Sequence, residues 1–111
     1  MAEGEIWVVR DSQYAKKARP AIIVQSNHLA VDSVVVVMTT SERNANVAER
    51  VELIPAAANG LLSVCYAMAD KPSALPRQLL GKKIGEVSPN ELEEIRRALA
   101  STLGITTSIL G

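Results

Sequence analysis

Ser33–Thr39 (SVVVVMT) is the stretch that decides the fold. Its β-branched side chains are stiff at χ1 and favour extended backbone. Successive strand residues face opposite sides, so an uninterrupted apolar run predicts a strand buried on both faces, central in a closed or covered sheet. Pro20–Gln25 (PAIIVQ) reads the same way, and Glu5–Val9 (EIWVV) forms a further strand after Gly4. Glu49–Ile54 (ERVELI) alternates polar and apolar residues, which predicts one solvated face. The pair Asn59–Gly60 signals a turn before a strand over Leu61–Ala69 (LLSVCYAMA), and Lys82–Val87 (KKIGEV) is the last short strand. The polar stretches Arg10–Ala18 and Glu42–Ala48 are surface loops. Leu75–Leu80 (LPRQLL) is expected to make a single helical turn, with Pro76 tolerated near its start.

The C-terminal part predicts a helix. Ser88 is the N-cap, Pro89 takes the first helical position, and Glu91 completes the capping-box pattern. Leu92, Ile95, Leu99 and Leu103 repeat at helical spacing and mark one buried face, and Gly104 is a natural stop. Glu91, Glu93 and Glu94 precede Arg96 and Arg97, which suits the helix dipole. About six short strands and one late helix make an α+β domain, mostly β: a small, strongly bent barrel with the helix packed against it.

The 111 residues fit a single domain over 1–111. Trp7, Tyr14 and Tyr66 are the aromatic residues and Phe is absent, so the core is aliphatic. One cysteine, Cys65, excludes an internal disulfide or a CxxC site, and one histidine, His28, excludes a histidine metal cluster. Glycine-rich phosphate loops are missing. The apolar runs, Val34–Met38 among them, fall far short of the roughly 20 residues that span a bilayer. The N-terminus is acidic rather than signal-like, and the expectation is a cytoplasmic protein.

Twelve basic and twelve acidic residues cancel, yet they are segregated. Residues 10–19 and 71–83 hold eight of the twelve basic residues and a single acid, Asp11. Such segregation predicts a short basic groove on an acidic body, able to attract a polyanion locally.

Arg19 precedes Pro20, which keeps it extended at a strand mouth, where its planar fork of donors suits a phosphate. Thr39, Thr40 and Ser41 place three hydroxyls at the end of the valine strand. Asp70, before Lys71 and Pro72, is a candidate base, and His28 a second. Taken singly, each has an ordinary explanation: a solvated arginine, local backbone bonding by Ser and Thr, an Asp starting a turn, a loop histidine. Cys65 and Trp7 read as core residues.

Taken in order, the fragments Gly4–Trp7, Arg19–Asn27, Val37–Ser41, Asn59–Leu61, Asp70–Lys71, Leu80–Gly85 and Pro89–Leu103 resemble the MazF/PemK toxins of bacterial toxin–antitoxin systems. The resemblance covers nearly the whole chain. It implies a compact SH3-like barrel of the CcdB/MazF type, a homodimer with a cognate antitoxin as partner, and cleavage of single-stranded RNA without metal or other cofactor. There the ribose 2′-OH attacks the adjacent phosphate, leaving a 2′,3′-cyclic phosphate and a 5′-OH. Arg19 matches the family's catalytic arginine, Thr40 its catalytic threonine, and Asp70 an acidic position used in some members. Lys16, Lys17, Ser41, Lys71 and Arg77 fall where the resemblance puts the RNA groove. The chain departs at Met68 and Ser73, where those members carry arginines around the acid. The same fold also serves CcdB-like toxins that bind gyrase without enzymatic activity, and an inactive antitoxin-binding homologue is a further alternative. Scarce aromatics imply little base stacking and more reliance on hydrogen bonds and charge.

Overall fold

The valine run becomes the longest strand of the sheet, with neighbours along both edges. A computed structural model describes residues 1–10, 18–29 and 31–105. Its elements are β1 (Glu5–Val9), β2 (Arg19–Ile23), β3 (Ser33–Thr40), β4 (Arg50–Leu53), β5 (Cys65–Met68), β6 (Ser73–Pro76), a 3₁₀ turn Arg77–Leu79, β7 (Leu80–Glu86) and α1 (Pro89–Leu103). The strands follow the order β4-β5-β3-β2-β1-β7, all neighbours antiparallel, and β6 also pairs with β3.

β3 meets β2 on one edge, with Ile22 opposite Val37. Its other edge is shared by β6, from Ser33↔Pro76 to Val36↔Ser73, and β5, through Thr39↔Ala67 and Thr40↔Tyr66. Three steps along β3, from Thr39 to Val36, correspond to six along the partner, from Ala67 to Ser73. The chain therefore loops out at Ala69–Pro72, and a seventh strand, β6, follows this break. The expected strand over Leu61–Ala69 is confined to Cys65–Met68. Leu61–Val64 leaves the sheet because the Leu61 N–H is taken by the Asn59 side chain rather than by a strand.

Burial on both faces holds for β2 and β3. Ile22 and Val37 join Ile6, Leu53 and Ile95 in one cluster, while Ile23 and Val36 join Val9, Val34 and Leu75 in a second. Each such fully buried aliphatic side chain contributes about 1.5–3 kcal/mol. β4 alternates as its pattern predicts. The helical turn expected over Leu75–Leu80 contracts to Arg77–Leu79, because Leu75 pairs with Val34 and is fully buried.

α1 carries the predicted capping box: the Glu91 N–H donates to Ser88 Oγ (3.1 Å) and the Ser88 N–H to Glu91 Oε1 (2.8 Å). Ile95 is buried, and Leu92 and Leu99 pack against the first cluster. Leu103 departs from the expected face and is 61 % exposed. Thr102 anchors the last turn instead, donating to the Ala69 carbonyl at 2.8 Å.

Among the described residues no ladder joins β4 to β7, so the sheet is unclosed and a loop bridges the gap. After β4 the chain folds back onto β7, where the Glu86 N–H donates to the Ala58 carbonyl (3.0 Å). A Cβ on Gly85 would overlap the backbone of Ala58 and Asn59, and one on Gly60 (φ +67°) that of Ile84. Both glycines permit this close backbone approach.

Candidate active site

The mouths of β2 and β3 lie side by side. Arg19 opens β2, opposite Val9 of β1, and its side chain is exposed. Of the three hydroxyls at the end of β3, Thr39 turns inward. It is 3 % exposed and donates to the Pro20 carbonyl at 2.8 Å, stapling the two strand mouths together. Thr40 faces outward, and its Oγ1 accepts the Glu42 N–H at 3.2 Å, which leaves the hydroxyl proton to donate elsewhere. Ser41 follows, exposed. Arg19, Thr40 and Ser41 border one cleft of about 450 Å³, with Val8 and Ile84 beside them and Gly60–Cys65 opposite.

That opposite wall is built by Asn59, a residue that reads in sequence only as a turn. It is 3 % exposed; its Oδ1 accepts from the Ala56 and Leu61 N–H groups, both at 3.0 Å, and its Nδ2 donates to the Ile54 carbonyl at 2.8 Å. The sequence signal was an Asn-Gly pair followed by two leucines. Leu61 is buried, whereas Leu62 is wholly exposed at the rim. Cys65 lies in the cleft lining, and burial pushes its thiol above the usual range, with the Thr39 hydrogen bond opposing and Glu91 adding to the rise. It is a packed thiol, not a nucleophile.

Asp70 is not brought to this cleft. It sits in the loop-out after β5, where Arg50 Nε donates to its Oδ1 at 3.3 Å, both side chains mostly buried. Arg50 is the cross-strand partner of Met68, which brings its guanidinium from β4 to Asp70. His28 is exposed, with its Nδ1 2.7 Å from Ser26 Oγ.

Of the four cations at residues 71–83, two already have acceptors and none lines the cleft. Arg77 Nε donates to the Val31 carbonyl at 2.7 Å, and Lys83 pairs with Glu5 at 2.9 Å. Lys71 is exposed beside Asp70, outside the cleft lining. Burial alone would raise the Glu5 carboxyl, but hydrogen bonds from the Ala2 N–H, the Trp7 indole and Lys83 override it and hold Glu5 at about 2. Lys16 and Lys17 lie outside the described residues.

Comparison with known proteins places the chain in a family and a fold. Residues 2–103 match the family model described as PemK-like, MazF-like toxin of type II toxin–antitoxin system. A probable endoribonuclease MazF of Mycolicibacterium smegmatis is 34% identical over 108 residues, covering 95% of this chain and 98% of that protein. A mycobacterial endoribonuclease solved with its cognate antitoxin superposes with a TM-score of 0.77 at 29% identity, covering 96% of this chain and 97% of that one. The Mycobacterium tuberculosis toxin MazF-mt6 shares the fold, with a TM-score of 0.76 at 23% identity over 92% of this chain and 98% of its own. With its sheet order, its C-terminal helix and its cleft at the mouths of β2 and β3, the chain belongs to the PemK-like, MazF-like toxins of type II toxin–antitoxin systems.

Proposed function

We propose that this endoribonuclease toxin cuts single-stranded RNA in the cleft between Arg19–Thr40–Ser41 and Gly60–Cys65. The observation that carries the reading is convergence: Arg19 and Thr40 leave two adjacent strand mouths that Thr39 ties together. In the reaction the ribose O2′ bonds to the neighbouring phosphorus and the bond from phosphorus to O5′ breaks. The 2′-OH loses a proton and the departing O5′ gains one, giving a 2′,3′-cyclic phosphate and a 5′-OH. Negative charge grows on the phosphorane oxygens, and donors preorganised around it lower the barrier. A guanidinium has donors and no acceptor, so Arg19 serves as an electrostatic donor and not as a base. Thr40 supplies the neutral donor beside it, and Ser41 a contact to the RNA backbone. Asp70 takes a positioning role through Arg50 rather than that of a base, while Lys71 and Arg77 are not among the residues lining the cleft.

The cognate antitoxin, a second copy of the chain and the cytoplasm complete this reading. The test is to incubate the protein, Arg19→Ala and Thr40→Ala with a long RNA in EDTA and to map the ends. Wild-type cleavage with cyclic phosphate ends, lost in both variants, is the expected result. Equal cleavage by all three defeats the site assignment, and no cleavage of any RNA defeats the activity.

A further inference from the structure

A second concavity of about 330 Å³ is bordered by Arg43, Asn44, Val47, Arg50, Glu52 and Tyr66. Thr40 of β3 pairs with Tyr66 of β5, and Tyr66 pairs with Glu52 of β4. Directly opposed residues in antiparallel strands share a face, so Thr40, Tyr66 and Glu52 form one row on the outer surface of the sheet. With strands about 4.8 Å apart, Glu52 stands roughly two strand spacings, near 10 Å, from Thr40. That is the reach of a nucleotide next to a phosphate held at Thr40. The end of β3 also runs directly into Arg43, which places a cation at the edge of this concavity.

Resting on the RNA-cleaving reading above, we infer that this concavity is a nucleobase subsite that selects guanine beside the scissile phosphate. Tyr66 provides the half-buried aromatic face on which the base stacks. Glu52 reads the base edge. Its Oε2 accepts the Tyr66 hydroxyl at 3.4 Å, which orients the carboxylate, and each oxygen keeps a lone pair for the base. A carboxylate only accepts hydrogen bonds, so it favours a base with two adjacent donors. Guanine alone offers them, N1–H beside the 2-amino group; adenine and cytosine set a donor beside an acceptor, and uracil flanks its one donor with acceptors. Arg50 is fixed to Asp70 and supports the floor of the subsite, and Arg43 meets the backbone phosphate of the bound nucleotide.

Binding of uncleavable single strands tests the subsite separately from catalysis. The probes are deoxyuridine heptamers carrying one central deoxyguanosine, deoxyadenosine, deoxycytidine or deoxyinosine, followed by fluorescence anisotropy. The guanine heptamer is expected to bind about tenfold tighter than the adenine and cytosine ones, with inosine, which lacks the 2-amino donor, in between. Glu52→Gln levels the four probes, and Tyr66→Ala weakens all of them by about tenfold, the size of one lost base–aromatic stack. Equal binding of the four probes to the wild type, or a guanine preference that survives in folded Glu52→Gln, overturns the proposal. Cleavage of RNA by Arg19→Ala at the wild-type rate defeats the cleft reading instead, and leaves the base preference standing.

Discussion

Two arginines of one sheet, separated by two strands, have opposite fates. Arg50 in β4 is mostly buried and donates to Asp70, so its charge is used inside the fold. Arg19 at the mouth of β2 is exposed on a backbone that Pro20 and the Thr39 staple make rigid. Lys83, bound to Glu5, and Arg96, bidentate on Glu3 at 2.7 and 3.1 Å, belong with Arg50. The difference shows how one chain supplies both kinds of cation. One kind is matched to a carboxylate and holds elements together, and the other is anchored through its backbone and presents its fork to an incoming anion.

The contrast can be tested from its largest consequence downward. Removing a preorganised donor to a developing oxyanion costs about 3–4 kcal/mol, so Arg19→Ala should lower kcat by 10²–10³-fold, with a melting temperature near wild type. Single-turnover cleavage and thermal unfolding measured together decide this, and a variant that loses activity only by unfolding breaks the contrast. Asp70→Asn should do the reverse. Leaving Arg50 without its carboxylate costs about 1–3 kcal/mol of stability, visible in urea, while kcat per folded molecule falls by less than about tenfold. A loss of kcat as deep as that of Arg19→Ala would return Asp70 to the chemistry.

Arg19→Lys sharpens the comparison further. It keeps the charge but loses the planar fork, and should retain a few per cent of wild-type kcat. The smallest effect concerns Glu5. Its folded pKa of about 2 lies below the ordinary 4.5, so the stability it lends is complete above 4.5 and disappears as pH falls toward 2. The melting-temperature gap between wild type and Glu5→Gln should therefore close over that window; a gap constant from pH 6 to 2 removes the ion pair from the account.

What could be read from the chain alone follows the physics of each segment. The valine run and Pro20–Gln25 announced two-faced burial because strand alternation leaves no other use for consecutive β-branched residues. The Ser88 cap and Gly104 marked α1 because capping is local in sequence. Arg19, Thr40 and Ser41 stood out only through the family resemblance, since each alone reads as an ordinary strand-end residue. Non-local terms decided the remainder. Nothing within Leu61–Ala69 signals that Asn59 takes the Leu61 N–H and pulls four residues out of the strand. Nor does any local pattern assign Arg50 to Asp70, Arg77 to Val31 or Lys83 to Glu5, since these partners lie 20, 46 and 78 positions away. Counting charges along the chain located the cations but not their acceptors.

The loop that packs on β7 has a thermodynamic corollary. Ala58–Gly60 lies against β7, and the same segment continues as the far wall of the cleft, Gly60–Cys65. A molecule that grips the rim at Leu62 only in the folded form therefore stabilises the segment that also packs on β7. Occupancy is then written into the unfolding free energy, which rises by RT ln(1 + [L]/Kd) for a ligand of the closed form. A toxin built this way is hardest to unfold when its groove is filled, and a protease sampling its open state would find the vacant molecule first.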